Sequence, residues 1–167
     1  PVVVDEMEAG ARLSGMPEIE RRSIFHALNH KSAAREVAAR LGRPYEECRF
    51  IVAHLGGGIS VGAHAGGRVI DVNNALDGDG PFAPERSGGL PVGALVELAT
   101  SGKVSVEELR RRIVGRGGVV AYCGTNNMKE VQEAADRGDR RAALTLEAMA
   151  YQVAKEIAMH GATLAGR

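Results

Sequence analysis

The sequence lacks an excess of charge of either sign. Its 167 residues include 21 Lys and Arg and 21 Asp and Glu, so the formal net charge at pH 7 is zero. Proteins that bind nucleic acids draw most of their non-specific affinity from a positive field over the phosphate backbone. The balance of charge therefore argues against nucleic acid as a partner.

Long apolar runs and paired cysteines are also missing. Glycines and charged residues interrupt each apolar stretch before it reaches the roughly 20 residues of a membrane-spanning helix, so no membrane partner is expected. Cys48 and Cys123 are the only cysteines. They lie far outside CxxC spacing, and no secretory signal opens the chain. We expect free thiols in a soluble protein of the reducing cytoplasm.

The first half of the sequence predicts an α/β order of elements. Val2–Val4 resembles a strand, and a helix follows that ends at Gly42. The apolar positions of this helix recur at i, i+3, i+4 and i+7: Ala34, Val37, Ala38 and Leu41. A meander of three strands follows at 50–55, 59–64 and 68–73. Gly66 and Gly67 suit a tight hairpin turn between the last two strands.

The second half of the sequence predicts a long loop and then helices. Residues 73–89 are rich in turn formers, and loops of this length are usually functional or disordered. A helix begins near Pro91, a second at the capping box Ser105–Glu108, and a third spans about 127–135. The last helix is predicted to bury a stripe of apolar residues: Leu146, Met149, Ala150, Val153 and Ile157.

Three consecutive glycines lie at the first bend of the meander, in the stretch AHLGGGISVG (53–62). Glycine reaches positive φ cheaply and lets a backbone approach a ligand closely. One interpretation is a phosphate cradle, formed by the backbone N–H groups of Gly56, Gly57 and Gly58 with the Ser60 hydroxyl. The other is a crowded hairpin corner where two backbones meet. The spacing matches neither Walker A nor GxGxxG and leaves both interpretations open.

Arg86 and Asp5 are further candidate site residues, each with a structural alternative. The planar guanidinium of Arg86, in the long loop, could bind a phosphoryl or carboxylate group at two points. The alternative, which is commoner for a single loop arginine, is a surface pair with Glu85 or a nearby Asp. Asp5 ends the first strand, where open α/β sheets place functional carboxylates, but it could also cap the next turn.

Candidate metal ligands are few. His26 and His30 have the i, i+4 spacing of helical ligands, but no third ligand has suitable spacing, so we expect no structural zinc. Asp71, Asp77 and Asp79 could bind a hydrated Mg²⁺. For Asp77 and Asp79, which alternate with glycines, turn chemistry is the preferred explanation.

Four stretches together resemble the butyrate kinase branch of the acetate kinase family. They are IVAHLGGGISVG (51–62), VIDVNNALDGDGPFAPERSGGLP (69–91), VAYCGTNN (120–127) and EAMAYQVAKEI (147–157). The resemblance implies the ribonuclease-H-like fold of the actin-like ATPases, here incomplete. Residues 1–48 would end the first domain with its crossover helices, and residues 49–167 would begin the second domain with the phosphate-binding hairpin.

The resemblance also implies a nucleotide site. In this family the glycine motif faces the phosphates of ATP across the cleft between the two domains. Gly56, Gly57, Gly58 and Ser60 would therefore face the ATP phosphates, with His54 beside them. Phosphate would then occupy the space that side chains would otherwise take.

The implied reaction transfers the γ-phosphate of ATP to butyrate and yields butyryl phosphate and ADP. His26, in Phe25-His26-Ala27, would contact the phosphoryl group in transfer, and Arg86 would bind that group or the substrate carboxylate. Asp5 would orient the substrate or its Mg²⁺. The family forms homo-oligomers, so a homo-oligomer is expected.

Alternatives to this reaction remain open. The chain could bind a nucleotide or a partner without turnover, or act on acetate, propionate or isobutyrate, because a pocket distinguishes one methylene by only about 1–3 kcal/mol. The family's first phosphate motif and its adenosine motif are not found in the sequence. We therefore expect the activity of the parent enzyme and not of this chain alone.

Overall fold

The chain divides into two compact units in the computed structural model, which describes residues 2–3 and 6–166. Unit 1 comprises Pro1–His54, Ser60–Asn74 and Ala154–Arg167. Unit 2 comprises Leu55–Ile59 and Ala75–Val153. The three glycines thus belong to unit 2 together with Leu55 and Ile59, whereas His54 and Ser60 belong to unit 1.

Unit 1 contains two small sheets, two complete helices and the end of a third helix. The first sheet pairs β1 with β2, and the second has the order β3-β4-β5. The elements are β1 (Val2–Val3), α1 (Ala9–Arg12), β2 (Ile24–Phe25), α2 (Ala27–Arg40), a 3₁₀ turn (Tyr45–Glu47), β3 (Arg49–Leu55), β4 (Ile59–Ala65) and β5 (Arg68–Val72).

The three-stranded sheet confirms the predicted meander. β4 and β5 are antiparallel, with an irregular register between Ala63 and His64. Gly66 and Gly67 join them with φ angles of +58° and +74°, which is the backbone conformation that a tight hairpin turn requires. The two glycines were therefore sufficient to predict this turn from the sequence.

Unit 2 is helical apart from its loops. Its helices are α3 (Val92–Thr100), α4 (Val106–Ile113), α5 (Val119–Cys123), α6 (Met128–Asp136) and α7 (Arg140–Thr163), the last of which extends into unit 1 from Ala154 onward. Ser105 Oγ accepts from Glu108 N at 3.1 Å, which confirms the predicted N-terminal cap of α4. The five-residue α5 was not predicted, because it is too short to show a period.

The residues from 73 to 91 form the predicted long loop. They contain no helix, and their one strand-like feature is an isolated bridge between Arg86 and Val114. Asp79 Oδ1 accepts from Gly80 N at 2.9 Å, and Gly78 and Gly80 have positive φ. Turn formation thus explains Asp79, in agreement with the preferred interpretation.

The predicted buried faces of two helices are partly wrong. In α2, Ala34 and Ala38 are buried, whereas Val37 and Leu41 are exposed. In α7 the predicted stripe includes two exposed residues, Ala150 and Ile157, whereas the helix buries the polar residues Thr145 and His160 along with Ala142. Hydrophobicity selects the apolar residues of a helix, but the neighbouring elements decide which face is covered.

A chain of polar side chains runs through the core of unit 1. Tyr45 Oη lies 2.7 Å from His64 Nδ1, His64 Nε2 lies 3.4 Å from His30 Nδ1, and His30 Nε2 lies 2.9 Å from Ser60 Oγ. All four residues are buried. Burial, followed by the charge of neighbouring groups, lowers the pKa of His30 to about 3 and that of His64 to about 4. Both rings are therefore neutral at physiological pH.

The state of the cysteines and the apolar length of the helices can also be compared with the sequence. Cys48 and Cys123, both in the described part of the chain, form no disulfide, as predicted. Among residues 6–166, no helix combines the length and the apolar character needed to cross a membrane.

We expect acidification to destabilise the chain through His30 and His64. Their pKa values in the folded chain, about 3 and about 4, lie below the unfolded value of about 6.5, so the unfolded state binds more protons between those limits. The free energy of unfolding should therefore fall as the pH drops below about 6.5, by up to about 1.4 kcal/mol per pH unit for each histidine. Urea denaturation at about pH 7.5, 6.5 and 5.5 measures this slope.

The matched variants for this slope are His64→Gln and Leu28→Ala. The first removes a buried imidazole and should flatten the pH dependence, whereas the second changes an exposed side chain without a titratable group and should preserve it. Equal stability at all three pH values in the unmodified chain would contradict the prediction.

Gly118→Ala is expected to lower the free energy of unfolding by about 3 kcal/mol or more. Gly118 has a φ of +64°, and a Cβ there would lie 1.8 Å from Ala83 O and 2.5 Å from Arg86 O. Gly102→Ala is the control, because Gly102 has a φ of +71° with open space around it. The control should cost only about 1–2 kcal/mol of backbone strain. If denaturation experiments show that both variants lose the same free energy of unfolding, the close approach of Ala83 O to Gly118 does not contribute to the cost of the substitution.

Candidate active site

The glycine turn is crowded by protein atoms of unit 2. Gly56 N donates to Gly58 O at 3.0 Å, which closes the turn. A Cβ at Gly58 would lie 2.9 Å from Ala75 O, and a Cβ at Gly57 would lie 3.3 Å from Glu85 Oε2. The backbone of the long loop therefore accounts for glycine at position 58 without any ligand. The interpretation of the turn as a crowded corner therefore holds at Gly58.

Arg86 combines the two alternatives that the sequence left open. Its Nη1 lies 3.2 Å from Glu85 O and 3.4 Å from Glu85 Oε2, so it does pair with its neighbour. Its Nε is buried and has no hydrogen-bond partner within the described residues. Nη2 makes no hydrogen bond there either. The Nε–Nη2 edge, which matches the two oxygens of a carboxylate or phosphoryl group, therefore has no acceptor among residues 6–166.

Arg86, Glu85 and Asn126 are linked by side-chain contacts within unit 2. Glu85 Oε1 accepts a hydrogen bond from Asn126 Nδ2. Sequence reasoning weighed Glu85 only as a surface partner and assigned Asn126 no role. Two features of the sequence could have identified these residues: Glu85 is the neighbour of Arg86, and Asn126 lies in the stretch VAYCGTNN.

His26 and His54 come together in unit 1. His26 is exposed at the N-cap position of α2, and its ring centroid lies 4.5 Å from that of His54. Burial and the neighbouring His26 lower the pKa of His54. His54 Nδ1 lies 3.0 Å from Asn29 Oδ1, an acceptor, so Nδ1 carries the proton of the neutral ring.

His30 does not join His26 as its spacing suggested. It is fully buried and bonded to Ser60 and His64 instead. Within residues 6–166, no three His, Cys, Asp or Glu side chains come together as a metal-binding set. Although the two histidines are four residues apart, His26 is exposed and His30 lies in the core.

Ser60 is buried at the end of the polar chain, with its hydroxyl on His30. Each neutral imidazole and each hydroxyl group carries one proton that it can donate. Four protons are therefore available for the three hydrogen bonds of the line. All three contacts are satisfied only if every donor points the same way. Two directions meet this condition. If Tyr45 donates to His64, the proton left over for another acceptor is that of Ser60, and if Ser60 donates to His30, it is that of Tyr45.

The aspartates have separate environments. Asp71 Oδ1 lies 3.4 Å from Arg21 Nη1, and both belong to unit 1, so an ion pair explains Asp71. Asp5 lies outside the described residues.

Comparisons with known proteins cover almost the entire chain. Residues 17–167 match the family model described as the acetokinase family. The chain is 57% identical over 167 residues to a probable butyrate kinase of Listeria monocytogenes and 58% identical over 167 residues to butyrate kinase 2 of Clostridium acetobutylicum. It covers 47% of each of these proteins and thus spans about half the length of the curated relatives it matches.

Solved structures agree in fold. A propionate kinase from Francisella tularensis matches with a TM-score of 0.82 at 28% identity, and covers 92% of this chain while the chain covers 41% of it. Acetate kinase from Porphyromonas gingivalis matches with a TM-score of 0.85 at 24% identity, over 94% of this chain and 41% of that structure. The predicted fold is therefore confirmed, and the chain belongs to the acetokinase family.

Proposed function

We propose that the protein containing this chain transfers the γ-phosphate of ATP to butyrate, with butyryl phosphate and ADP as products. Membership of the acetokinase family and the names of the relatives at 57% and 58% identity support this reaction. The observation on which the proposal rests most is the guanidinium edge of Arg86, which has no acceptor in the part of the chain that the structure describes.

Arg86 is suited to bind an anion at that edge. A buried donor without a partner costs about 1–3 kcal/mol, and an anion placed on Nε and Nη2 would remove this cost. Carboxylate and phosphoryl groups both offer two oxygens at the required spacing. We therefore assign Arg86 to the substrate carboxylate or to the phosphoryl group in transfer.

The acceptor needs no general base. A carboxylic acid has a pKa of about 4, so butyrate is already ionised near neutral pH. Catalysis then consists of positioning the reactants and neutralising their negative charge. We assign charge neutralisation to Arg86 and, as a contact to the phosphoryl group, to the exposed His26.

The ATP phosphates are assigned to Gly56, Gly57, Gly58 and Ser60, with His54 beside them. Backbone N–H groups in a tight turn suit an anion. The neutral His54 ring donates from Nδ1 to Asn29, so contact with a phosphate oxygen requires a second proton on Nε2, which a nearby anion would favour. If Tyr45 donates to His64, Ser60 could donate its remaining proton once the residues that bury it give access.

Mg²⁺ is proposed as the partner of ATP, with Asp5 orienting it or the substrate. When bound, the ion neutralises phosphate charge. Asp71 does not serve this role in the structure because it pairs with Arg21. Further proposals that rest on family membership are a cytoplasmic homo-oligomer and a domain boundary between residues 48 and 49.

Another short-chain acid is the second candidate substrate. The propionate kinase of F. tularensis is similar to this chain in structure, with a TM-score of 0.82. Acids that differ by one methylene are separated by only about 1–3 kcal/mol in a hydrophobic pocket. Acetate, propionate and isobutyrate therefore belong in the same test.

The reaction can be tested by replacing the matching segment of C. acetobutylicum butyrate kinase 2 with this chain, to which it is 58% identical over 167 residues. We expect the hybrid to form acyl phosphate from ATP, Mg²⁺ and butyrate, measured by trapping with hydroxylamine. The value of kcat/KM for butyrate should exceed that for acetate by about tenfold or more. A folded hybrid that produces no acyl phosphate would favour a binding module without turnover.

Arg86→Ala in the same hybrid should lower kcat/KM by about 10²–10³-fold, because a preorganised donor to the reacting group is lost. Arg112→Ala is the matched control, since Arg112 lies half-exposed on α4 and pairs with Glu108 at 3.2 Å. The control should retain nearly full activity. Equal activity of both variants would contradict the assignment of Arg86.

A further inference from the structure

Glu85 is held within unit 2 by contacts additional to that with Arg86. Its backbone N–H donates to Gly57 O at 3.1 Å, and its carbonyl oxygen accepts from Gly115 N at 2.7 Å. Its carboxylate accepts from Asn126 Nδ2 through Oε1. Main chain and side chain are therefore both restrained, and the residue places a fixed anion beside the guanidinium.

Glu85 contacts the Arg86 guanidinium at one corner only. Both contacts, at 3.2 Å to the carbonyl oxygen and 3.4 Å to Oε2, go to Nη1. Nε and Nη2 form the edge that faces away from this corner. The guanidinium is thus held without any use of the edge that can bind an anion at two points.

Holding the guanidinium has a chemical consequence. An arginine side chain has many rotamers, and a free one must lose that freedom when it binds a ligand. A guanidinium that is already oriented avoids this loss and keeps its donors aimed at the reacting group. Asn126 contributes to the orientation of the guanidinium indirectly, because it contacts Glu85.

We propose that Glu85 and Asn126 are positioning residues for Arg86: Asn126 fixes the Glu85 carboxylate, which holds the Nη1 corner and directs the Nε–Nη2 edge toward an anionic group. The nature of that group, a carboxylate or a phosphoryl, rests on the proposed function. The positioning itself rests on the contacts within unit 2.

Arginine side-chain NMR tests the positioning directly in the 167-residue chain. The Nε–H resonance of Arg86 is assigned by its loss in Arg86→Lys, and its exchange with water is measured. We expect Asn126→Ala to accelerate this exchange by about tenfold or more. The nearly isosteric Asn126→Asp should act in the same direction, because it places a second carboxylate against Glu85.

The control is Asn127→Ala. Asn127 is the N-cap of α6 and accepts from Lys129 N at 3.2 Å, so its loss weakens the helix without touching Glu85. Exchange at Arg86 Nε should not change in this variant. Equal acceleration by Asn126→Ala and Asn127→Ala would mean that the effect is general loosening and would overturn the proposal.

A double-mutant cycle tests the order of the contacts. Because Asn126 acts through Glu85, Glu85→Ala with Asn126→Ala should accelerate exchange no more than Glu85→Ala alone. Additive effects of the two substitutions, or no effect of either, would overturn the proposal.

Titration with inorganic phosphate and with butyrate separates this proposal from the proposed function. We expect phosphate to shift the Arg86 Nε–H resonance, and Asn126→Ala to raise the half-saturating concentration by about tenfold. Equal half-saturation in the unmodified chain and the variant would overturn the positioning role. If neither anion shifts the resonance, the assignment of Arg86 in the proposed function fails, and the exchange rates alone decide the positioning role.

Discussion

The close approach of backbone segments around the long loop is the constraint on which unit 2 depends. The loop has no helix or ladder of its own, so its peptide groups bond to other segments: Glu85 N to Gly57 O, Ser87 N to Ile113 O, and Ala83 O to Val119 N. Such contacts leave no room for side chains. A Cβ at Gly88 would lie 2.4 Å from Phe82 N, and one at Gly118 would lie 1.8 Å from Ala83 O. Glycine permits this packing, and the packing holds Arg86.

Unit 1 depends on a different constraint, the satisfaction of buried polar groups. Tyr45, His64, His30 and Ser60 lie in the core and satisfy one another in a line. Such a line tolerates only neutral imidazoles with all donors in one direction. The arrangement couples the tautomers of the two rings to each other and to the orientation of the Ser60 hydroxyl. It also makes the stability of this unit sensitive to acid.

Local patterns in the sequence were sufficient for the elements whose cause is local. Gly66-Gly67 predicted the hairpin, Ser105 with Glu108 predicted the start of α4, and the density of turn formers predicted the loop. The buried faces of α2 and α7 were predicted less well, since Val37 and Ile157 are exposed although they are apolar. Burial depends on which neighbours cover a helix, and a single sequence does not specify them.

The sequence by itself determined the family, through motifs whose residue types are tied to backbone conformation and to chemistry, and it singled out Arg86 and the glycine turn. Only the tertiary structure decided that Ala75 O leaves no room for a side chain at Gly58, that His30 belongs to the core while His26 is exposed, and that Asn126 contacts Glu85, the neighbour of Arg86. The contacts of Gly58 with Ala75 and of Glu85 with Asn126 join residues far apart in the chain. Their distances depend on how segments pack, which the order of residues does not display.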